Sequence, residues 1–235
     1  MKDSTVQLLK DDKELSLEEW NREVNAIQPM SILEKHPNLL IRLKEEHRRK
    51  SFLKLIELQK NFIIADVGCE AGYLTERMIE RCRSVYCIDI DKNMLEKAKE
   101  RIGNDRTQYV HSDIQNINLQ DNLVDVAIAA EVLEHLPDPA VGIKELARIT
   151  KPGGKIYISV PNEPLVLFIK SILSSMGMKW FMKNLNKELA IGHLKVFNKA
   201  YLTQICMGIV ELERIFYNKP FYLNIFAIMR PKKVV

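Results

Sequence analysis

Three acidic residues in the first half of the chain follow apolar segments with the composition of buried strands. Asp66 ends the first segment and opens a glycine-containing turn, Asp89 stands 23 residues further on, and Asp113 ends a third segment. In a parallel sheet, a glycine turn after a strand accommodates a nucleotide, and a carboxylate after the next strand can accept both ribose hydroxyls. Asp113 can accept from an adenine amino group. Together, the three positions predict a nucleoside cofactor site.

The turn reads Asp-Val-Gly-Cys-Glu-Ala-Gly over residues 66–72, and its middle position indicates which cofactor it can bind. In dinucleotide folds the middle residue is a glycine, which lets the backbone approach a pyrophosphate. Here that position is Glu70, whose carboxylate would repel a pyrophosphate. A cofactor that carries a sulfonium and an ammonium would tolerate the carboxylate, so NAD and FAD are disfavoured.

A second group of residues able to do chemistry follows the fourth predicted strand. Glu131, Glu134 and His135 are spaced so that their side chains can converge from one helical turn, and His193 could complete the set. Oxygen and nitrogen ligands of this kind suit Mg²⁺, Mn²⁺, Fe²⁺ or Zn²⁺. A metal held there could bind an acceptor hydroxyl and lower its pKa.

Two interpretations of this group do without a metal. In the first, His135 acts alone as a general base or orienter for a hydroxyl or amine within hydrogen-bond reach. In the second, the group is structural: Glu131 only contacts the cofactor, Glu134 caps the following turn, and a backbone carbonyl satisfies His193. All three hypotheses remain open at this point.

Strands and helices alternate between residues 61 and 160, which predicts a doubly wound, mostly parallel α/β sheet. The tail differs, because two strand-like segments flank Asn-Lys-Pro-Phe and predict an antiparallel hairpin that completes seven strands. The predicted strands cover 61–68, 84–91, 107–113, 124–131, 155–160, 210–217 and 222–229, and the predicted helices cover 73–83, 92–102 and a segment from Pro139.

Local signals define several ends of these elements. Asp91 and Asp138 are expected to be helix N-caps, and Gly103 is expected to end the helix that Asp91 begins. Lys-Pro-Gly-Gly at 151–154 predicts a turn. These ends place the acidic residues at the carboxyl ends of the strands, where ligands bind in such sheets.

The predicted domain covers residues 61–235 and follows an N-terminal segment. Residues 1–60 predict a helical N-terminal cap, with Ser16 and Glu19 as a capping box. One side of its last helix is expected to be apolar, with Leu39, Leu43, Phe52, Leu53, Ile56 and Leu58 on it.

Residues 162–195 predict a lid, whose helical face comprises Leu165, Phe168, Ile169, Ile172, Leu173 and Met176. Three hypotheses remain for this face: burial against the domain, a pocket for an apolar acceptor, or peripheral contact with a membrane surface through 164–183.

Composition excludes several classes of protein. The chain has 235 residues, of which 46% are hydrophobic and 28% charged, so it is not disordered or of low complexity. A net charge of +4 and short basic runs such as 47–50 make nucleic acid an unexpected partner. Four cysteines without a Cys-x-x-Cys motif suggest neither a zinc cage nor a disulfide framework, and they favour a reducing cytoplasm. Arg48 or Arg49 could instead reach a cofactor carboxylate.

These motifs resemble those of the class I S-adenosylmethionine-dependent methyltransferases. Ile-Ile-Ala-Asp-Val-Gly-Cys-Glu-Ala-Gly-Tyr-Leu from residue 63 is similar to their first motif, and segments 85–95 and 110–119 are similar to the next two. The family usually has glycine where Glu70 stands. The resemblance implies a Rossmann-like fold and a cofactor site in which Asp66 orients the turn or reaches the cofactor amine through water. It also implies that Gly68, Cys69 and Gly72 line the methionine, Asp89 with Ile90 the ribose, Asp113 with Ile114 the adenine, and that Ala130 borders the site.

The segment 131–139 and the later His193-to-Phe197 stretch resemble those of two branches of the family. One branch is the ubiquinone-pathway O-methyltransferases. The other is the small-RNA 3′-end 2′-O-methyltransferases, which bind a metal. The resemblance implies Glu131, Glu134, His135 and His193 as candidate metal ligands, and Glu134 and His135 as candidate catalytic residues.

The expected function is methyl transfer to a small, apolar acceptor at oxygen. An RNA 2′-O-methyltransferase, a protein N-methyltransferase and a non-catalytic S-adenosylmethionine-binding module are the alternatives.

Overall fold

A computed structural model describes residues 8–10, 13–16, 18–19, 22, 39–175 and 194–232. The strands are β1 Leu8–Lys10, β2 Lys13–Leu15, β3 Ile63–Val67, β4 Ser84–Asp89, β5 Thr107–His111, β6 Val124–Ala130, β7 Thr150–Pro161, β8 Val210–Tyr217 and β9 Asn224–Pro231. The α-helices are α1 Leu39–Leu55, α2 Tyr73–Met78, α3 Lys92–Ile102, α4 Pro139–Ile149, α5 Glu163–Ser175 and α6 Lys199–Cys206, with 3₁₀ turns at Ile79–Arg81 and Leu133–His135.

Seven of these strands form one sheet, in the order β5-β4-β3-β6-β7-β9-β8. Strands β3 to β7 run parallel to one another, whereas β9 is antiparallel to both β7 and β8. The predicted doubly wound sheet with a C-terminal hairpin is therefore confirmed. The strand order changes direction between β3 and β6, which is the point where ligands bind in open α/β sheets.

The segment Lys-Pro-Gly-Gly, predicted as a turn, lies inside β7. Val124 of β6 pairs with Thr150, and Val126 pairs with Lys155, so the segment is accommodated as a bulge between two paired stretches. Gly153 has a φ of 82°, a left-handed conformation that favours glycine. These residues are typical of a turn, but here they form a bulge within a strand and do not end it.

The predicted helix ends are confirmed. The Asp91 side chain accepts from the backbone N of Asn93, and the Asp138 side chain accepts from Ala140 at the start of α4. Gly103 ends α3 in a left-handed conformation. The helix predicted over 73–83 is shorter, because after Met78 the chain tightens into a 3₁₀ turn.

Hydrophobic layers cover both faces of the sheet, and α1 belongs to one of them. Phe52 of α1 packs 5.2 Å from the ring of Phe226 in β9. Leu39 and Leu43, predicted on the same face, are each 56% exposed. The buried face of α1 instead continues through charged residues, since Glu45, Arg48 and Arg49 are all buried at helical spacing with Phe52, Leu53 and Ile56.

The predictions for the N-terminal segment and for the lid have different outcomes. Ser16 and Glu19 exchange the reciprocal hydrogen bonds of a capping box, as expected. Of the three hypotheses for the lid helix, burial against the domain does not hold for the described part of α5, because Phe168 is 62% exposed and Ile169 and Ile172 are exposed as well. The rest of the lid, from 176 to 193, lies outside the described residues. Among the described helices, none is long and apolar enough to cross a bilayer.

Candidate functional site

The glycine turn after β3 is built so that its backbone lies close to neighbouring segments. The amides of Gly68 and Cys69 both donate to the carbonyl of Ile88, at 2.8 and 3.1 Å. Gly68 has a φ of 71°, and a Cβ at this position would lie 2.3 Å from Cγ2 of Val132. The turn therefore requires glycine for both conformation and space, and it brings the segment around Val132 against the predicted cofactor site.

Asp66 anchors this turn from beneath. Its Oδ2 accepts from Oγ1 of Thr75 in α2 at 2.6 Å, and the side chain is buried at the end of β3. Burial raises the pKa of Asp66 to about 6, and the hydroxyl bond opposes the rise. The contact fixes the turn to the helix that follows it, as expected for a residue that orients the turn.

Asp89 holds the loop that follows β4. Its Oδ2 accepts from the amide of Glu70 at 2.8 Å, and its Oδ1 accepts from the amide of Asp91 at 2.9 Å. Burial raises the pKa of Asp89 to about 6. Each carboxylate oxygen has a second lone pair, so the group can still accept from a pair of ribose hydroxyls.

The remaining predicted cofactor residues lie along the same edge of the sheet. Asp113 accepts from the amide of Gln115 at 2.8 Å, and Ile114 is buried beside it. The carbonyl of Ile90 lies 2.9 Å from Nε2 of His111. Ala130 is the last residue of β6. These side chains come from the carboxyl ends of four neighbouring strands, as the sequence predicts.

Glu70 occupies the middle of the turn with a φ of 47°. Its side chain is partly buried, and the charges that act on it come from Asp89, Arg48, Arg49 and Asp66. Burial, reinforced by Asp89, raises the pKa of Glu70 to about 8. The carboxyl is therefore mostly protonated at neutral pH when only protein groups surround it.

Glu131 begins the second part of the site, directly after β6. It has a φ of 59°, and its Oε1 accepts from Oγ of Ser159 at 2.5 Å. Nδ2 of Asn224 lies 3.2 Å from both carboxylate oxygens, and Nη1 of Arg48 lies 3.9 Å from Oε1. Residues from α1, β7 and β9 thus converge on one carboxylate.

Glu134 is fully buried, and within the described part of the chain neither of its carboxylate oxygens has a hydrogen-bond partner. Burial raises the pKa of Glu134 well above its usual range, and the nearby carboxylate of Glu131 adds to the rise. Its carbonyl accepts from the amides of Leu194 and Lys195 at 2.8 and 3.2 Å. The end of the predicted lid segment therefore docks on the backbone of Glu134.

The predicted metal ligands do not form a cluster among the described residues. Over the ranges that the structure covers, no three carboxylate, imidazole or thiol side chains are arranged to hold an ion. Glu131 lies near Glu134 and bonds to Ser159 and Asn224, but it does not form an ion-binding cluster with Glu134 and His135. His193 lies outside the described residues, so the four-ligand set stays a prediction.

Sequence reasoning missed the residues that hold Glu131. Ser159 and Asn224 lie 28 and 93 residues away along the chain, and no local motif marks either one. Arg48 was considered only as a contact to the cofactor, yet it also pairs with Glu45 at 2.9 Å. The helical spacing of charged residues 45, 48 and 49 was the one available signal of this buried network.

The comparisons with known proteins agree with this geometry. Residues 65–158 match the family described as "Methyltransferase domain". The ubiquinone biosynthesis O-methyltransferase of Coxiella burnetii is 30% identical over 128 residues, which is 52% of this chain and 55% of that protein. The mitochondrial ubiquinone biosynthesis O-methyltransferase of Dictyostelium discoideum is 34% identical over 125 residues, 48% of this chain and 39% of that protein. The chain thus matches about half the length of these relatives, or less.

Solved structures share the fold at low identity. A methyltransferase in complex with the Trm112 methyltransferase activator of Haloferax volcanii superposes with a TM-score of 0.67, at 14% identity over 91% of this chain and 97% of that one. The N-methyltransferase NodS of Bradyrhizobium japonicum with S-adenosylhomocysteine gives 0.60, at 18% identity over the same shares of the two chains. Together, these findings show that residues 65–158 match a methyltransferase domain and that the chain has the fold of class I S-adenosylmethionine-dependent methyltransferases.

Proposed function

We propose that the protein transfers a methyl group from S-adenosylmethionine to a hydroxyl oxygen of a small, apolar acceptor. The observation that carries the proposal is the buried carboxyl of Glu134 beside Glu131, on a segment packed against the cofactor turn through Val132 and Gly68. A buried polar group without a hydrogen-bond partner among the described residues is expected where a ligand completes the site.

The residues at the sheet edge fit the cofactor. Asp89 would accept from the ribose hydroxyls, and Asp113 with Ile114 would hold the adenine. Gly68, Cys69 and Gly72 would line the methionine part, and Arg48 or Arg49 would take its carboxylate. When bound, the cofactor supplies a methyl group already activated by its sulfonium. Positioning the acceptor in line with that methyl group is then the main task of the protein.

The acceptor side combines polar groups with apolar surface. The amide of Asn162 donates to the carbonyl of Leu223 at 2.7 Å, and its Nδ2 donates to Tyr222 at 2.8 Å, which joins the start of α5 to the β8–β9 loop. Exposed aromatic side chains of this region are Phe168, Phe221 and Tyr222. A few polar groups beside apolar surface favour a small apolar acceptor. We propose His135 as the base that takes the hydroxyl proton and Glu134 as the residue that orients the acceptor.

The electrostatics of α1 argue against nucleic acid as the acceptor. The basic run at 47–50 is not a surface patch, because Arg48 and Arg49 are buried and Arg48 pairs with Glu45. Nucleic-acid binding depends on exposed cations that neutralise phosphates. We therefore keep a small molecule as the proposed acceptor. We further propose that residues 1–60 form a cap, that the rest of the chain is the catalytic domain, and that the protein is cytoplasmic.

A methyl-transfer assay with radiolabelled S-adenosylmethionine tests the function. Catechols, phenols, amines, thiols and a short RNA would be offered to the wild type and to the His135→Ala, Glu134→Gln and Glu211→Gln variants. We expect transfer to phenolic oxygen, lost at least tenfold in the first two variants and retained in Glu211→Gln, which alters an exposed residue of β8. Transfer only to amines or RNA, or cofactor binding without any transfer, would contradict the proposal.

Metal titration tests the predicted ligand set separately. Mg²⁺, Mn²⁺ and Zn²⁺ would be titrated by calorimetry into protein saturated with S-adenosylhomocysteine, and then into a His193→Ala variant. Stoichiometric binding that is lost in the variant would support ligation by Glu131, Glu134, His135 and His193. If the wild type binds none of these ions, the metal hypothesis is wrong and His135 is left as the base.

A further inference from the structure

Glu70 places a carboxyl group inside the cofactor turn. Its backbone amide donates to Oδ2 of Asp89 at 2.8 Å, so the residue sits directly against the carboxylate that fits the ribose. Its φ of 47° lies in the left-handed region, where residues other than glycine are strained. The turn therefore carries a glutamate at a position whose backbone conformation favours glycine.

Charges of both signs surround this carboxyl group. Asp89 and Asp66 repel its ionised form, whereas Arg48 and Arg49 of α1 attract it. The charge of Arg48 is already shared, because its guanidinium lies 2.9 Å from Glu45 and 3.9 Å from Glu131. The protein groups thus leave the ionised form of Glu70 short of positive charge.

The methyl donor brings the missing charge, and the product does not. S-adenosylmethionine carries a sulfonium between its ribose and its amino-acid end, and S-adenosylhomocysteine has a neutral thioether at the same atom. The backbone amide of Glu70 bonds to Asp89, which would accept from the ribose, and the charge of its side chain interacts with Arg48 and Arg49, which would take the amino-acid end. Its carboxylate is therefore near the segment of the cofactor in which donor and product differ by one positive charge.

We infer that Glu70 is a specificity residue that distinguishes the charged methyl donor from its uncharged product. The inference rests on the cofactor part of the proposed function and not on the identity of the acceptor. Binding of the donor stabilises the Glu70 carboxylate, and its proton leaves to solvent. Transfer of the methyl group removes the positive charge, so the carboxylate again lacks a partner and the product is held less tightly.

The expected pH dependence follows from the groups that face Glu70. Because burial raises its pKa to about 8, the carboxyl is mostly protonated at pH 6.5 and mostly ionised at pH 9 when no donor is bound. Asp66 and Asp89, with pKa values raised to about 6, are ionised over most of this range, and Arg48 and Arg49 keep their charge. A change between pH 7 and 9 therefore reports chiefly on Glu70.

Calorimetric titration of S-adenosylmethionine and S-adenosylhomocysteine at pH 6.5, 7.5 and 8.5 tests the inference. The ratio of donor to product affinity would be compared between wild type and Glu70→Gln at each pH, which cancels the titration of the ligands' amino groups. We expect the wild-type ratio to exceed that of Glu70→Gln by about tenfold at pH 8.5, a difference of about 1.4 kcal/mol. At pH 7.5, titration in two buffers of different ionisation enthalpy should show that the excess of proton release on donor binding over product binding is larger in the wild type than in Glu70→Gln.

Two further variants keep the result interpretable. Glu70→Gly relieves the backbone strain and should lower the ratio like Glu70→Gln, even if the glutamine variant folds poorly. Glu76→Gln, an exposed residue of α2, should leave the ratio unchanged. Equal ratios in wild type and both Glu70 variants, or an equal change in affinity for both ligands, would overturn the inference alone. If neither ligand binds the wild type, the proposed function falls as well.

Discussion

Carboxylates on the cofactor side of the sheet edge are held by residues of the first three parallel strands and the segments that follow them, whereas those on the acceptor side are not. Asp66 bonds to Thr75 and Asp113 to Gln115, both within nine residues, and Asp89 bonds to Asp91 and to Glu70, which lies 19 residues away. Glu131 depends on Ser159 and Asn224, which come from other strands. Within the described residues, the Glu134 carboxylate has no hydrogen-bond partner at all.

This difference suggests how one fold can keep a cofactor and change its acceptor. The hydrogen bonds of the cofactor-side carboxylates all lie within residues 66–115, so they do not involve β7, β9 or the lid. Long-range contacts allow the acceptor side to change with β9 and the lid while the cofactor side stays intact. Arg48 links the two sides, since its charge acts on both Glu131 and Glu70.

The link through Arg48 gives the largest expected effect on stability. Glu45→Gln removes the buried partner of Arg48, and breaking such a pair should lower the free energy of unfolding by about 3 kcal/mol at pH 7. The Arg48 and Lys44 charges lower the pKa of Glu45 to about 2 against the opposing effect of burial. The ionised pair thus stabilises the protein fully above about pH 4.5, and this contribution is lost as pH falls toward 2.

Urea unfolding at pH 7 and pH 3 would measure this effect, with Glu46→Gln as the control. Glu46 is the neighbouring residue and pairs with Arg77 at 3.3 Å at the surface, so its loss should change stability by less than about 0.5 kcal/mol. An equal effect of the two substitutions at pH 7 would show that Arg48 does not depend on its buried partner.

The separation of the two sides predicts that loss of a charge weakens cofactor binding on the cofactor side but not on the acceptor side. Asp89→Asn removes a charged acceptor for the ribose and weakens the bonds to Glu70 and Asp91, so affinity for S-adenosylhomocysteine should fall about 100-fold. Glu131→Gln should leave this affinity within about twofold, because its hydrogen-bond partners, Ser159 and Asn224, lie on the acceptor side. Calorimetric titration of S-adenosylhomocysteine into both variants measures the two affinities. A comparable loss in Glu131→Gln would contradict the separation.

Gly68 tests the physical contact between the two sides, with the smallest expected effect. Gly68→Ala places a Cβ against Val132 in a left-handed conformation, and strain and clash together should lower stability by about 2 kcal/mol. Gly103→Ala has a similar φ and open space around it, so strain alone should cost about 1 kcal/mol. Thermal unfolding would compare the two. If they are equally destabilised, Val132 yields freely and the turn does not position the acceptor segment.

The local features of this protein were predictable because each depends on a few adjacent residues. The alternation of strands and helices, the caps at Asp91 and Asp138, and the acidic residues at the strand ends all follow from short-range periodicity and capping chemistry. The cofactor class follows from the same short segments. Even the misjudged turn at 151–154 was identified by its residues, and only its place within a strand was wrong.

The acceptor side required the tertiary structure, because its contacts join residues that no short window contains. Asn224 reaches Glu131 only after β9 inserts antiparallel beside β7, and Arg48 reaches it only after α1 packs on the sheet. The buried face of α1 was missed for the same reason, since apolar periodicity cannot reveal charges that neutralise one another in the interior. The sequence by itself determined the fold class and the cofactor, whereas the packing of distant segments decided which carboxylates are held and left that of Glu134 without a hydrogen bond to the described residues.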